Sequence, residues 1–347
     1  MRSGPVPENM MDALALASGL VPTPLIDTLV ATGLARTVMV ATKLGIFEAL
    51  AAAPMSAAEV ARECDTNRVG TTKLLEALAG AGYLTRKHDR YALTGMARRW
   101  LSSSSATSLS DLMELMFVVW RWFEHYELYV KEGRPLDVHA VMSHDDWALY
   151  QRGMRSLAGL LAPEVALRTP VPRGARMLLD IGGSHGFYSV ALCRRHRRLS
   201  ATVLDLPQAV DHARAILERE GMGARVTLRA GDARDAELGQ DVYDCALVAN
   251  LVHHFDEEVN MRLMARVARA LRPGGVLVVQ EVMRADGERT GRQVSALAEL
   301  YFAALSASGI FGYADIARWQ KAAGLTPKRP IRFVSYPGAG QQAAIKR

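Results

Sequence analysis

At 347 residues, half of them hydrophobic and 22% charged, the chain has a globular composition and is too long for one ordinary core, so two domains are expected. The formal charge of +6 is scattered, and its densest cluster, Arg194, Arg195, Arg197 and Arg198 around His196, falls at a helix end where cations suit the dipole, which argues against a nucleic-acid patch. Cys64, Cys193 and Cys245 lack metal or disulfide spacing, Met1 to Asn9 lack a signal-peptide layout, and the apolar runs are too broken to span a membrane; a reduced, cytoplasmic, metal-free protein is expected.

In chain order, residues 24–53 read as one helix with Leu29, Val38, Val40, Leu44, Ile46 and Leu50 as its apolar positions. Ser56-Ala57-Ala58-Glu59 is a capping box opening a short helix to Cys64, and a second helix spans 70–78. Tyr83-Leu84-Thr85 and Tyr91-Ala92-Leu93 flank a charged turn, which predicts a hairpin; helix, helix, hairpin is the layout of a winged helix. Residues 111–170 form a helical, aromatic-rich linker ending at Thr169-Pro170-Val171-Pro172-Arg173-Gly174. From 171 to 347 strands and helices alternate, the pattern of a doubly wound α/β sheet. The predicted strands are 177–181, 202–204, 226–229, 244–248 and 276–281, with helices at 187–195, 208–220 and 257–271, the last capped by Asp256. Residues 332–336 and 342–345 predict a terminal antiparallel hairpin around Pro337-Gly338-Ala339-Gly340.

The first of these strands runs through Asp180 into Gly182, Gly183, Ser184, His185 and Gly186 and then a helix. Glycines let a ligand approach the backbone, and a helix N-terminus favours an anionic group such as a pyrophosphate or a methionine carboxylate. Asp205 closes the second strand, 25 residues after Asp180, where an acid can accept hydrogen bonds from both ribose hydroxyls. Gly231-Asp232 closes the third, where a carboxylate can meet an adenine amino group. Three successive strands ending this way on the carboxyl edge point to a nucleoside-bearing ligand.

Taken together, Leu179 to Gly186, Asp205-Leu206-Pro207, Gly231-Asp232, His253-His254-Phe255-Asp256-Glu257 and Leu271-Arg272-Pro273-Gly274-Gly275 resemble the class I methyltransferases. More narrowly the chain resembles the two-domain small-molecule O-methyltransferases of plant caffeic acid and bacterial natural-product type, over residues 25 to 345. The resemblance implies a Rossmann-like catalytic domain over 171–347 and an N-terminal α-helical winged-helix dimerisation domain over 1–110, beginning its match at Ala41 to Phe47. It also implies S-adenosyl-L-methionine as methyl donor, a homodimer, and no metal. The donor site it implies is lined by Gly182, Asp205, Asp232 and Ala233, beside the loop residues Asp180, Gly183, Ser184 and Gly186 and the adjoining Leu206. Two positions depart from the family pattern here: Ser184 stands where a third glycine is usual, and Ala249 where a basic residue is usual.

Transfer from a sulfonium is an in-line displacement, so positioning supplies much of the acceleration. A phenolic acceptor, with a pKa of roughly 10, also needs a base. His253 matches the family's catalytic histidine and Glu281 the acid that orients it, while the second such acid falls near Ile310, where no carboxylate stands. Tyr150, Met154 and Phe123 match segments lining the acceptor pocket, and His254 adjoins the base. O-methylation of a small molecule with His253 as general base is the expected reaction. S- or N-methylation by proximity, or a non-catalytic donor-binding protein, are the alternatives that Ile310 and Ala249 keep open. A DNA-binding regulator is disfavoured because residues 1–110 carry 11 Lys and Arg against 9 acids and no strong basic face. A nicotinamide enzyme is disfavoured because the Gly-x-Gly-x-x-Gly order is missing. The expected partners are a small-molecule acceptor and a second copy of the chain, without nucleic acid or membrane.

Overall fold

The computed structural model describes residues 4–7, 9–284, 293–306 and 308–347, and they divide into two compact units, Arg2–Phe117 and Val118–Arg347. In the first unit the expected single helix over 24–53 is broken. A helical run from Thr23 to Lys43, with a π-helical turn at Ile26–Val30, ends in α1 (Ala31–Lys43), and α2 (Ile46–Ala52) follows. Gly45 makes the break: its φ of +73° lies in the left-handed region that ends helices, and its N–H caps the Thr42 carbonyl at 3.0 Å. By length and composition Thr23–Lys43 could cross a bilayer, contrary to expectation; Leu25, Leu29, Val30 and Leu34 along it are exposed.

After β1 (Met55–Ser56) comes α3 (Ala57–Glu63), opened by the predicted capping box with both of its hydrogen bonds formed. Next is α4 (Arg68–Gly80), which starts two residues earlier than expected because the Asn67 side chain accepts from the N–H groups of Val69 and Gly70. The hairpin β2 (Leu84–Lys87) and β3 (Arg90–Leu93) follows, with β1 pairing against β3. Phe47, Leu50, Val60, Leu75, Leu78 and Leu93 form the core of this unit.

In the second unit α5 (Val138–Val141) and α6 (His144–Arg168) precede an eight-stranded sheet. The parallel strands are β4 (Met177–Ile181), β5 (Ser200–Asp205), β6 (Val226–Ala230), β7 (Tyr243–Ala249) and β8 (Leu271–Val282). Between them stand α7 (Phe187–Arg195), α8 (Pro207–Arg219) and α9 (Glu257–Ala270), the last with Asp256 accepting from Val259 N–H at 2.8 Å. Two further helices, α10 (Gln293–Leu305) and α11 (Tyr313–Ala322), come after β8 in the chain. Two expectations change. Strand β8 begins earlier than expected, at Leu271 opposite Tyr243, and Arg272 to Gly275 form an irregularity before pairing resumes at Val276 opposite Cys245. The expected terminal hairpin is larger, with β9 (Leu325–Pro327), β10 (Ile331–Arg332) and β11 (Ala339–Lys346), and β11 runs antiparallel to β8 as well as to its two small neighbours.

The sheet order is β10-β11-β8-β7-β4-β5-β6. Chain direction across the sheet therefore reverses between β4 and β7, and in open α/β sheets ligands bind at this crevice, beyond the carboxyl ends of the strands. Apolar layers on both faces bury the sheet: Leu178, Val203, Leu247 and Val278 on one side, Leu179, Leu204, Val248 and Val279 on the other.

Candidate active site

The loop after β4 is shaped by its backbone. Gly182 has φ +66°, and a side chain there would meet Leu251 at 2.7 Å, so the loop lies directly against the segment leading to His253. Ser184 also takes a left-handed conformation, φ +50°, unusual for a residue with a side chain. Two contacts hold it: its N–H donates to Asp205 Oδ2 at 2.7 Å, and its hydroxyl donates to Gln151 Oε1 at 2.9 Å. The serine found where a third glycine is usual is thus accommodated by partners on β5 and α6. Gly183 and Gly186 complete the loop, and Gly186 N–H closes it onto the Gly183 carbonyl at 2.8 Å.

Asp180 and Asp205 come together at the ends of β4 and β5. Asp180 is 1% exposed; Ser189 Oγ donates to its Oδ2 at 2.6 Å, and its Oδ1 has no hydrogen-bond partner. Burial pushes its carboxyl up to about 7, against the Ser189 hydrogen bond and with the help of the nearby Asp205 charge. Burial likewise raises Asp205 to about 6, although the N–H groups of Leu206 and Ser184 both donate to it. A buried acid with an unused oxygen is a receptor for a cationic donor group, and the ammonium of an amino-acid arm is such a group. Asp232, at the end of β6, is engaged by Arg234, whose guanidinium donates to both of its oxygens at 2.6–3.1 Å; that hydrogen bonding holds its carboxyl below the usual range. Ala233 beside it is buried, and its carbonyl accepts from Arg266 at 2.7 Å. These acids and the glycine loop fit a nucleoside carrying an amino-acid arm.

Across the crevice, β7 leads into a short 3₁₀ turn, Val252–His254, that buries His253 to 4% exposure. Its Nδ1–H donates to Glu281 on β8, 3.0 Å from Oε2 and 3.2 Å from Oε1, and Oε1 also accepts from Val252 N–H at 3.0 Å. A carboxylate only accepts, so this bond places the proton on Nδ1 and leaves Nε2 as the basic nitrogen. Asn260 on α9 secures the turn by donating to the carbonyls of Val252 and Phe255.

Aromatic rings connect His254, Tyr150 and Phe123 to this histidine. His254 lies 4.1 Å from the His253 ring and 4.8 Å from His139 on α5. His139 in turn stacks on Trp147 and meets Tyr150 edge-on at 5.9 Å. On the other side Phe302 of α10 lies 4.0 Å from His253, and Tyr301 meets Phe123. Burial, with the neighbouring His253 and His139, holds His254 well below its ordinary pKa, and burial lowers His139 also; both are neutral near pH 7. Burial and the Asp205 charge push the Tyr150 phenol up to about 12. Phe123 is the outlier, 39% exposed at the end of this run, and Met154 lies one turn beyond Tyr150 on α6.

The sequence assigns no site role to His139, Gln151 or Phe302, and it shows Trp147 only as one aromatic of the helical linker. No motif marks them, and only packing brings them near the strand ends. The sequence also has no carboxylate at Ile310. The Ile310 N–H instead donates to Glu299 Oε2 at 3.3 Å, so an acid reaches this point from α10.

Fold and site together define a Rossmann-like methyltransferase with an additional N-terminal domain. Residues 131–324 match the O-methyltransferase domain, and residues 27–103 match the O-methyltransferase dimerisation domain. The chain belongs to this O-methyltransferase family, whose enzymes use S-adenosylmethionine as donor. It is similar to the 3-hydroxy-5-methyl-1-naphthoate 3-O-methyltransferase of Streptomyces sahachiroi, 27% identical over 93% of this chain and 95% of that protein. Among solved structures, an O-methyltransferase from Nostoc punctiforme superposes with a TM-score of 0.83 at 21% identity, covering 94% of this chain and 99% of its own. Human N-acetylserotonin methyltransferase in complex with S-adenosylmethionine gives 0.82 at 19%, covering 99% of both chains.

Proposed function

We propose that the protein methylates a hydroxyl of a small aromatic molecule, with His253 as general base and Glu281 as the acid that orients it. The observation that carries this reading is the buried His253–Glu281 pair beside the glycine loop. Bound S-adenosylmethionine supplies an electrophilic methyl group on a sulfonium, which departs as a neutral thioether. On the protein's side, His253 Nε2 takes the hydroxyl proton as the oxygen attacks. The imidazolium that forms is stabilised by Glu281, whose charge lies 3.0 Å from Nδ1. Asp180 and Asp205 hold the donor, Asp205 through the ribose hydroxyls, and Asp232 with Ala233 lies at the adenine end. Tyr150, Met154, Phe123 and His254 line the acceptor side, where flat apolar surfaces favour a planar ring.

This reading treats the protein as a cytoplasmic homodimer working without nucleic acid or membrane. The exposed Leu25, Leu29, Val30 and Leu34 support a second copy as the cover for the Thr23–Lys43 run. The test is a labelled-methyl assay against phenols, alcohols, thiols and amines, comparing wild type with His253→Ala. Transfer to a phenol that falls about 10²-fold or more in the variant supports the reading. Transfer confined to thiols or amines, at equal rates in the two proteins, overturns it.

A further inference from the structure

We propose that Gln151 binds the methyl donor directly, its side-chain N–H donating to the donor's amino-acid carboxylate. The proposal rests on the donor-site reading above and goes one residue beyond it. Gln151 is 1% exposed on α6; its Oε1 accepts from Ser184 Oγ at 2.9 Å, while its Nε2 has no hydrogen-bond partner. Buried polar atoms are overwhelmingly paired, so an unpaired amide N–H at a ligand loop calls for an acceptor that the ligand brings. Because the amide is planar and compact, Nε2 stands at the same corner of the loop as the Ser184 hydroxyl.

Why the acceptor is a carboxylate follows from the loop's other donors. Four backbone N–H groups that could have received an anion are already committed. Gly182 donates to the Leu204 carbonyl at 2.8 Å, Ser184 to Asp205 at 2.7 Å, Gly186 to the Gly183 carbonyl at 2.8 Å, and Phe187 to His185 Nδ1 at 3.0 Å. The helix N-terminus that sequence alone assigns to an anion is therefore largely spent. Asp180 and Asp205 can only accept when ionised, and Ala249 brings no charge. A donor with a free N–H is what the carboxylate of an amino-acid arm lacks here, and Gln151 supplies it. The glutamine is held in register: Arg155, one turn along α6, lies 4.2 Å over the Phe187 ring at the start of α7 and pairs with Glu220 at 2.6 Å.

Calorimetry with two ligands tests the proposal: S-adenosylhomocysteine, and its decarboxylated analogue 5′-S-(3-aminopropyl)-5′-thioadenosine. Gln151→Met is expected to weaken S-adenosylhomocysteine about 10-fold or more, the loss typical of a hydrogen bond to a charged group, and to leave the analogue within about twofold. Gln151→Glu keeps an oxygen for the Ser184 hydroxyl but sets a negative charge against the carboxylate. It should weaken S-adenosylhomocysteine further and spare the analogue, and it gives the same comparison if the methionine variant does not fold. Unchanged affinity for S-adenosylhomocysteine in the folded variants, or equal losses for both ligands, overturns the proposal. Wild type that fails to bind S-adenosylhomocysteine at all would instead overturn the donor-site reading beneath it.

Discussion

Replacing Glu281 by Gln isolates what its charge contributes while keeping its shape. The carboxylate is 1% exposed and meets two donors, His253 Nδ1–H at 3.0 Å and Val252 N–H at 3.0 Å. A glutamine has one oxygen for these two donors, and its own N–H₂ faces whichever is left. During transfer the imidazole becomes positive, so the lost interaction is a hydrogen bond between charged groups, worth about 1.5–3 kcal/mol. At about 1.4 kcal/mol per factor of ten, kcat should fall about 10- to 150-fold. The donor does not touch Glu281 in this reading, so the Kd for S-adenosylhomocysteine should stay within about twofold. The unpaired donor should also lower stability by about 1–3 kcal/mol. Single-turnover methylation of a confirmed phenolic acceptor measures the chemical step, and calorimetry measures the Kd. Because the two residues act as one unit, the double variant with His253→Ala should be little slower than His253→Ala alone. A folded Glu281→Gln enzyme whose single-turnover rate is within twofold of wild type would refute the argument.

Asp205→Ala should weaken S-adenosylhomocysteine by about 1.5–3 kcal/mol, since the ribose loses its charged acceptor; calorimetry showing wild-type affinity would remove Asp205 from the site. Asp180 and Asp205 are raised to about 7 and about 6, so the fold holds protons that the unfolded chain releases near pH 4. The stability they contribute is present below pH 4 and lost as pH rises through about 6 to 7; melting of the ligand-free protein should show a drop there that shrinks in Asp180→Asn. A bound ammonium favours the ionised Asp180, so S-adenosylhomocysteine should bind more tightly at pH 8 than at pH 5.5, and an equal or reversed order would contradict the assignment. Leu25→Glu combined with Leu29→Glu should convert a homodimer to monomers by light scattering; an unchanged dimer would place the interface elsewhere.

Much of the fold was legible because its signals are local. The Ser56–Glu59 capping box, the Asp256 cap and the strands beginning at Met177 and Val226 each depend on residues within a few positions of one another. Strand-end motifs carried the candidate site for the same reason: a parallel sheet delivers Asp180, Asp205, Asp232 and His253 to one edge whatever lies elsewhere in the chain. The division at Gly45 and the attachment of β11 to β8 were not legible, since one depends on a backbone angle and the other on pairing across a long separation.

Sequence alone thus determined the parallel strands, the family resemblance and the acids at the strand ends. Only tertiary structure decided how those groups are tuned and completed. Ser184 is secured by Gln151, 33 positions away in sequence; the ring of His139 reaches His254; Glu299 comes to Ile310. The raised carboxyls of Asp180 and Asp205 arise from the water that the packed chain excludes around them. Periodicity and spacing report where a backbone turns. Desolvation and contacts between distant segments depend on the volume that surrounding side chains fill, which no local pattern encodes.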